Sequence, residues 1–515
     1  MLVTMLLCAV TLGAGYANKV RCVGPSFDSQ GRSSPDYTIR IDRDVCYSDI
    51  QYLWIGRDVN RHLFPYVSGG YDPATEQLYG GAVEYPVLTG MAIYLAALPS
   101  STDGDFLVYS ALLLAIAGLL SAALLAWLAG LRSWWFALAP PLVLYAFHNW
   151  DLFAVCATVV ACWALLRGSR RAGNEAGRYP SADGPGGDEP VAEGPGADGP
   201  DGGGPAGDGP AGDGAEVGPA EVPLDRTATA VAAGRDGARG PGSVGRPGPL
   251  VVAAIALGVG GAFKLYPMMF ALPIALWLGS GGWRSGAGQT RPARARWLVA
   301  AAFAGGTAAV FLLINLPFMV AGWAGWWASF QFQWSRPIDL TTNTIWFWAA
   351  RPYSNSDNVA VQHDLAMAAT VSTLGALLLA CVLGWLRFGR DRGYPWLPVC
   401  AAMVCGYLLF NKVHSPQFAL WLLPFFVLLR IRPGWICAYF VADAAIGIGF
   451  FRWQYLISSG LPSDSYDALS PQLVLIGVWG RVALLVALVV VFLRAEVVAI
   501  PSAAPVNTEL APDRR

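Results

Sequence analysis

Long apolar runs recur along the chain, and polar residues gather at their ends. A helix needs about 20 predominantly apolar residues to cross the hydrocarbon core of a bilayer. Candidate runs lie near 2–17, 105–130, 134–148, 150–167, 249–264, 267–279, 297–320, 366–388, 394–410, 417–431, 434–452 and 470–494. The pattern predicts an all-α, polytopic transmembrane bundle of about twelve spans. Its first loop, 18–104, is long. Within that loop the short apolar run 86–99 reads as a half-embedded helix, because a full crossing there would break the alternation of the later loops.

That alternation fixes an expected orientation. On one side lie Arg132, Arg167, Arg170, Arg171, Arg284, Arg291, Arg294, Arg296, Arg387, Arg390, Arg392, Arg430, Arg432 and Arg494; the other side has only Lys264, Arg336, Arg351, Lys412 and Arg452. Short loops rich in Lys and Arg stay in the cytoplasm. The loop 18–104 is therefore expected outside, in a multi-pass protein of the cell membrane. The run Met1 to Ala17 reads as a short span or as a signal peptide ending in Ala14-Gly15-Tyr16-Ala17; the absence of a basic n-region argues against the second. In either case the loop after it is exported.

Composition agrees. Of 515 residues, 55% are hydrophobic and 13% charged, about half the charged share of a water-facing domain, and mean hydropathy is +0.45. A net charge of −1 offers no field to attract nucleic acid. There is no CxxC or Cys/His cluster, so no metal site is expected. Cys22 and Cys46 alone lie in the polar segment that follows the first run, where an oxidising compartment favours a disulfide. Residues 172–248 are Gly-, Pro- and Asp-rich and cannot bury enough surface to fold, so they read as a disordered cytoplasmic insert. The expected organisation is a membrane half at 1–171, the insert, a second membrane half at 249–496 and a cytoplasmic tail at 497–515.

Polar groups near bilayer depth are costly and so mark candidate sites. Five clusters fall at helix ends on the outer side: Cys46-Tyr47-Ser48-Asp49, Glu84-Tyr85-Pro86, His148-Asn149-Trp150-Asp151, Lys264-Leu265-Tyr266-Pro267 and Asn411 to Gln417. They are expected to converge on one cavity covered by the loop 322–365, with its Arg336, Asn343 and Trp residues. A carboxylate with several cations in an exported cavity suits transfer from a phosphate leaving group. A base takes the acceptor proton and cations stabilise the departing phosphate. Because nucleotide sugars are cytoplasmic, a sugar used outside must arrive on a lipid carrier. No cofactor is required by this chemistry, although a divalent cation bridging the phosphate and Asp49 is compatible with it.

The same stretches carry a resemblance. YSDIQYLW (47–54), PY (65–66), EYPVLTG (84–90), HNWDLFAV (148–155), FKLYP (263–267) and NKVHSPQFALWLLP (411–424) resemble, in order and spacing, the GT-C superfamily and within it glycosyltransferase family 87, which includes polyprenyl-phosphate-mannose-dependent mannosyltransferases. The short first span and the insert depart from that pattern. The resemblance implies a GT-C-like fold, an inverting transfer (of mannose, on this ground alone) to a lipid or cell-envelope glycan acceptor, and a catalytic Asp in the first outer loop, the position held by Asp49.

Each residue has a second reading. Asp49 is the expected base, or else a loop cap or an ion pair with Arg57; Asp58 is a lesser candidate. Glu84 contacts the acceptor or caps the helix starting at 86. Asp151 shapes the cavity or stabilises a helix N-terminus. Lys264 binds phosphate or snorkels to the interface. Lys412, His414, Tyr266 and Gln417 contact donor phosphate or sugar. Arg336 clamps phosphate or pairs with Asp339. Asp443 and Arg481 read as a structural pair. The rival function is a transporter or lipid flippase, which should carry related halves and polar groups on both sides; neither is visible. A non-catalytic scaffold, with the insert as its binding element, is the other rival.

Overall fold

The computed structural model describes residues 1–176, 247–283, 292–351, 358–388, 393–464 and 466–498. The chain is a multi-pass helical bundle. Among the described residues seven stretches are long and apolar enough to cross a bilayer unaided: Leu2–Val20, Asp103–Ala137, Asp151–Gly168, Ala293–Ala321, Val359–Arg387, Pro433–Ser458 and Leu469–Arg494. They contain helices α1 (Leu2–Val20), α5 (Asp103–Ala129), most of α8 (Asp151–Ala176), α11 (Ala293–Ala321), most of α14 (Val359–Phe388), α17 (Pro433–Ser458) and α18 (Leu469–Arg494).

The other five expected spans are short or broken. The run 134–148 is two helices, α6 (Trp134–Ala137) and α7 (Pro140–Tyr145); Pro140 suits the first position of a new helix and cannot continue an old one. Helices α9 (Gly248–Phe263) and α15 (Trp396–Phe410) rise about 24 and 22 Å at 1.5 Å per residue. The runs Tyr266–Gly279 and Pro416–Leu428 each begin as a 3₁₀ turn and finish as α10 (Ala271–Gly279) and α16 (Leu423–Leu428). Within the long first loop α4 (Val87–Ala97) rises only about 16 Å, half a bilayer core.

Helices α9, α10, α15 and α16 share one face of the bundle with the ends of the long ones. Gly168 abuts Pro249 and Trp283, Gly279 abuts Trp297, and Trp277 meets Trp396. Arg132 caps the end of α16 by donating to the carbonyls of Phe426, Val427 and Leu429 (3.3, 3.2 and 2.7 Å), which leaves that helix terminus without loose acceptors. Leu429 pairs with Val497, so the first tail residues are tied to this face. The length missing from α9, α10, α15 and α16 therefore lies toward their other ends, where the polar motifs are. Helix α8 is the central element, with 72% of its membrane window buried; α11 and α14, at 17% and 22%, form the lipid-facing rim.

The loop between α1 and α5 folds as a small cap. It contains α2 (Tyr37–Arg43), α3 (Asp49–Gly56), α4 and two antiparallel ribbons, β1 (Ser26–Phe27) with β2 (Ser33–Ser34) and β3 (Gly70–Asp72) with β4 (Gln77–Tyr79). Fully buried Asp103, at the start of α5, holds it: its carboxylate accepts from Arg32 Nη1 (3.1 Å), the Ser33 amide (3.0 Å) and Ser33 Oγ (2.6 Å). Cys22 and Cys46 form the expected disulfide. The expected insert, 172–248, falls outside the described residues except at its margins in α8 and α9, as does the tail beyond Val498.

The disulfide closes a loop with a sequence separation of 24, which in the chain-entropy account contributes about 3 kcal/mol. Replacing both Cys22 and Cys46 by Ser is expected to lower the melting temperature of the detergent-extracted protein. Reductant should bring the wild type to the same value and leave the variant unchanged. Identical melts with and without the link would show that the cap does not depend on it.

Candidate functional site

Asp49 opens α3. Ser48, extended at the N-cap position, donates through Oγ to the Phe147 carbonyl (2.7 Å), and the Asp49 amide donates to the His148 carbonyl (2.8 Å). The start of α3 is thereby stitched to the irregular stretch between α7 and α8. The half-buried carboxylate collects three neutral donors. Tyr47 Oη donates to Oδ1 (2.8 Å), and Asn149 Nδ2 and Tyr85 Oη donate to Oδ2 (2.7 and 3.3 Å). Burial, and after it the Asp49 charge, push both phenols well above their ordinary range, so they remain protonated donors. Tyr47 stacks on Phe451, and its carbonyl accepts from Lys19 Nζ at 2.7 Å.

The structure corrects one alternative for Asp49. Arg57 pairs with Glu84 instead, at 2.9 Å, with both side chains largely buried. Glu84 does not cap α4 either, since the N-cap is Pro86; its carbonyl accepts from Gln333 of the covering loop (3.1 Å). Asp58 faces outward and pairs loosely with Arg61 at 3.8 Å.

Asp151, fully buried at the first position of α8, is paired with Lys264 at 2.8 Å, and its other oxygen accepts from Trp421 Nε1 at 2.7 Å. Lys264 sits in an extended residue where α9 ends. It does not snorkel away. Its ammonium lies 5.4 Å from the Tyr85 ring and 5.5 Å from the Phe418 ring. Tyr266 stacks flat on Trp421 (centroids 4.0 Å apart) and accepts a hydrogen bond from Thr158. Tyr85 thus touches both Asp49 and Lys264, and four of the five expected clusters meet around it; the fifth joins through Phe418 and Trp421. His148 is buried beside them. Burial first, then the charges of Lys19 and Lys264, hold its ring well below the usual histidine range and neutral.

The covering loop meets the 411–417 stretch. Lys412 Nζ donates to the carbonyls of Trp334 (2.7 Å) and Arg336 (3.1 Å), next to the Arg336 side chain. Burial first, then the Arg336 charge, lower the Lys412 ammonium to about 8. Asp339 takes the amide and hydroxyl of Thr341. His414 is 1% exposed with no partner for either ring nitrogen, and Gln417 Oε1 is likewise buried without a partner. Burial, then the Arg481 charge, hold the His414 ring well below its usual range. Asp443 and Arg481 do not form the expected ion pair: Arg481 Nη2 donates to the Asn343 carbonyl (2.8 Å), and neither Asp443 oxygen has a hydrogen-bond partner. The Trp residues of the covering loop divide. Trp346 donates to the Phe410 carbonyl and Trp326 to Asn315, whereas Trp323 and Trp334 are exposed. Among the described residues no group of three or more His, Cys, Asp or Glu side chains is gathered to hold a metal.

Sequence reasoning gave no role to Tyr47, Tyr85, Asn149, Trp421 or Lys19. The first four sit inside quoted motifs, where the charged neighbours drew the attention. Lys19 had a signal of its own, as one of only three lysines in the chain.

Residues 246–456 match the family model described as Mannosyltransferase (PIG-M). That segment contains Lys264, Tyr266, Arg336, Lys412, His414 and Gln417 and excludes Asp49, Glu84 and Asp151. No curated protein matches the chain. Among solved structures it is similar to the Archaeoglobus fulgidus oligosaccharyltransferase tethered with an acceptor peptide containing the NVT sequon, at 12% identity and a TM-score of 0.35, with 94% of this chain and 55% of that chain covered. It is also similar to the archaeal oligosaccharyltransferase AglB from the same organism in complex with an inhibitory peptide and a dolichol-phosphate, at 11% identity and a TM-score of 0.35, covering 93% and 55%. The chain spans about 55% of the length of these proteins.

Removing one partner of the Asp151–Lys264 pair strands a buried charge, which costs about 3–5 kcal/mol. Asp151→Leu and Lys264→Met are each expected to lower the melting temperature strongly, and the double variant to regain most of the loss. Additive losses in this cycle would mean that the two side chains do not depend on each other.

Proposed function

We propose that the chain is an integral-membrane glycosyltransferase, resembling family 87 of the GT-C superfamily, that moves a sugar, mannose, from a polyprenyl-phosphate carrier to a hydroxyl of a lipid or cell-envelope glycan at the extracytoplasmic face of the cell membrane. The observation that carries this reading is the half-buried Asp49 carboxylate, oriented by three neutral donors and one aromatic ring away from Lys264. The family-model match over the segment bearing Lys264, Arg336 and Lys412 supports mannose. The Lys/Arg asymmetry supports the extracytoplasmic side, as does the Cys22–Cys46 disulfide.

In this reading Asp49 takes the acceptor hydroxyl proton as that oxygen attacks the anomeric carbon. The carbon–oxygen bond to phosphate breaks, and the phosphate leaves with the electron pair. Attack opposite the leaving group inverts the anomeric centre. Lys412 and Arg336 neutralise the phosphate, with Lys264 behind them. Unpartnered His414 and Gln417 hydrogen-bond the donor, Tyr266 shapes the wall, and Glu84, locked to Arg57, borders the acceptor side. These cations meet the charge demand without a metal. Were a divalent ion bound, Asp49 would hold it and the ion would add positive charge to stabilise the leaving phosphate.

Asp49→Asn keeps the size and removes the proton acceptor. Transfer of labelled mannose from polyprenyl-phosphate-mannose by purified protein is expected to fall about 10²–10⁴-fold at unchanged melting temperature; equal rates would remove Asp49 as the base. Lys412 supplies a second prediction. Its ammonium is charged below about 8 and loses its proton above, so the donor KM should rise as pH is raised through that value. Lys412→Arg should flatten this limb, and a limb that persists in Lys412→Arg would assign it to another group.

A further inference from the structure

Arg481 sits in the interior of α18, 2% exposed, about 18 Å along the helix from its Leu469 end at 1.5 Å per residue. A guanidinium at that depth is expensive and calls for a reason. An arginine placed only to fasten two helices would close on its counterion. Asp443 of α17 lies within its electrostatic reach, yet the two are not an ion pair, and the Nε and Nη1 donors of Arg481 have no partner. The one bond it makes leaves the helices altogether, running to the Asn343 carbonyl at 2.8 Å.

Asn343 ends a turn, Leu340–Thr342, that dips into the bundle. Its backbone is left-handed (φ 51°), and Thr342, Asn343 and Thr344 are all buried. Asp339 closes the turn from above through the Thr341 amide and the Thr342 hydroxyl. The His414 amide donates to the Thr342 carbonyl at 2.8 Å. Two residues before His414, Lys412 donates back to the carbonyls of Trp334 and Arg336. The covering loop and the 411–417 stretch therefore form a closed circuit, and the Arg481 bond ties its deepest point to the membrane helices.

We propose that Arg481 is a positioning residue: its bond to the Asn343 carbonyl sets the 339–344 turn in the bundle and so holds Lys412 and Arg336 at the site. Asp443, though within electrostatic reach, does not compete for the bond. This rests on the reading of Lys412 and Arg336 as donor-phosphate ligands, but the placement of Lys412 can be measured without any transfer reaction, because the chain has only three lysines.

The test uses purified full-length protein and the Arg481→Met/Asp443→Leu double variant, which removes both buried charges together and so leaves neither stranded. The first readout is acetylation of each lysine by an amine-reactive reagent, followed by mass spectrometry. Lys412 labelling is expected to rise about fivefold as the loop opens, with Lys19 and Lys264 unchanged. The second readout is transfer: donor KM should rise about tenfold, the worth of a hydrogen bond to a charged group, with kcat nearly unchanged. Arg481→Lys, which keeps a charged donor, should restore part of both. Unchanged Lys412 labelling in a folded double variant overturns the proposal. So does a joint rise at all three lysines, which would mean general loosening of the bundle. Should the double variant not fold, Arg481→Gln, too short to reach the carbonyl, is read by the same two outcomes. A wild type without transfer activity would refute the proposed reaction and leave the labelling result to judge Arg481 alone.

Discussion

The structure depends on a shortage of length. A bilayer core is about 30 Å thick, and a helix gains 1.5 Å per residue. The chain at 134–148, 248–263, 266–279, 396–410 and 416–428 is too short or too broken to span that distance as regular helix. Because the aligned ends gather at one face, the deficit is concentrated at the other. There irregular backbone is left inside the bundle, where each loose carbonyl or amide must find a partner. Much of the polar equipment answers that need. Ser48 serves the Phe147 carbonyl, Thr89 serves that of Phe263, Trp346 that of Phe410, Lys19 that of Tyr47, and Lys412 those of Trp334 and Arg336. A recessed polar site is what remains once these needs are met, and its position follows from where the helices stop.

Within it two carboxylates a short distance apart are given opposite treatment. Asp151 is sealed: fully buried, ion-paired and capped by an indole N–H. It has no exposed surface to offer a substrate, and the aromatic stack of Tyr266, Trp421 and Phe418 lies beside it. Asp49 meets only neutral donors and keeps part of its surface open. Those donors fix the direction of its lone pairs without cancelling its charge. Tyr85 links the two, offering its hydroxyl to Asp49 and its ring face to Lys264. One aromatic side chain thus contacts both Asp49 and the partner of Asp151.

The membrane class, the order of the helices and the five polar clusters were legible in the sequence because bilayer length and hydropathy are strong local constraints. So was the Cys22–Cys46 link, since only those two cysteines lie outside apolar runs. Pairings were not legible. Arg57 lies within reach of Asp49, Asp58 and Glu84, and nothing in the order of residues says that it turns to Glu84. Lys264 and Asp151 are 113 positions apart and come together only when α8 packs along α9. Asp443 and Arg481 failed in the other direction: two opposite charges on consecutive helices suggest a pair, but the dipping turn at Asn343 takes the arginine, and a turn of that kind leaves no periodic trace in a sequence.

The scarcity of lysine is a signal that composition alone does not interpret. The chain carries 34 basic residues, of which only Lys19, Lys264 and Lys412 are lysine. A skew toward arginine looks like codon usage. Yet each of the three lysines points at the recessed face, and each donates to a compact acceptor: the Tyr47 carbonyl, the Asp151 carboxylate, and the paired carbonyls of Trp334 and Arg336. An ammonium is a small point charge on a slender stem, whereas a guanidinium is a broad planar fork that wants parallel acceptors. At Arg132, where three carbonyls of a helix end are splayed side by side, the fork fits. At Lys19 and Lys264 a single acceptor is met by a point charge instead. The three lysines, few as they are, all lie where the short helices leave irregular polar backbone.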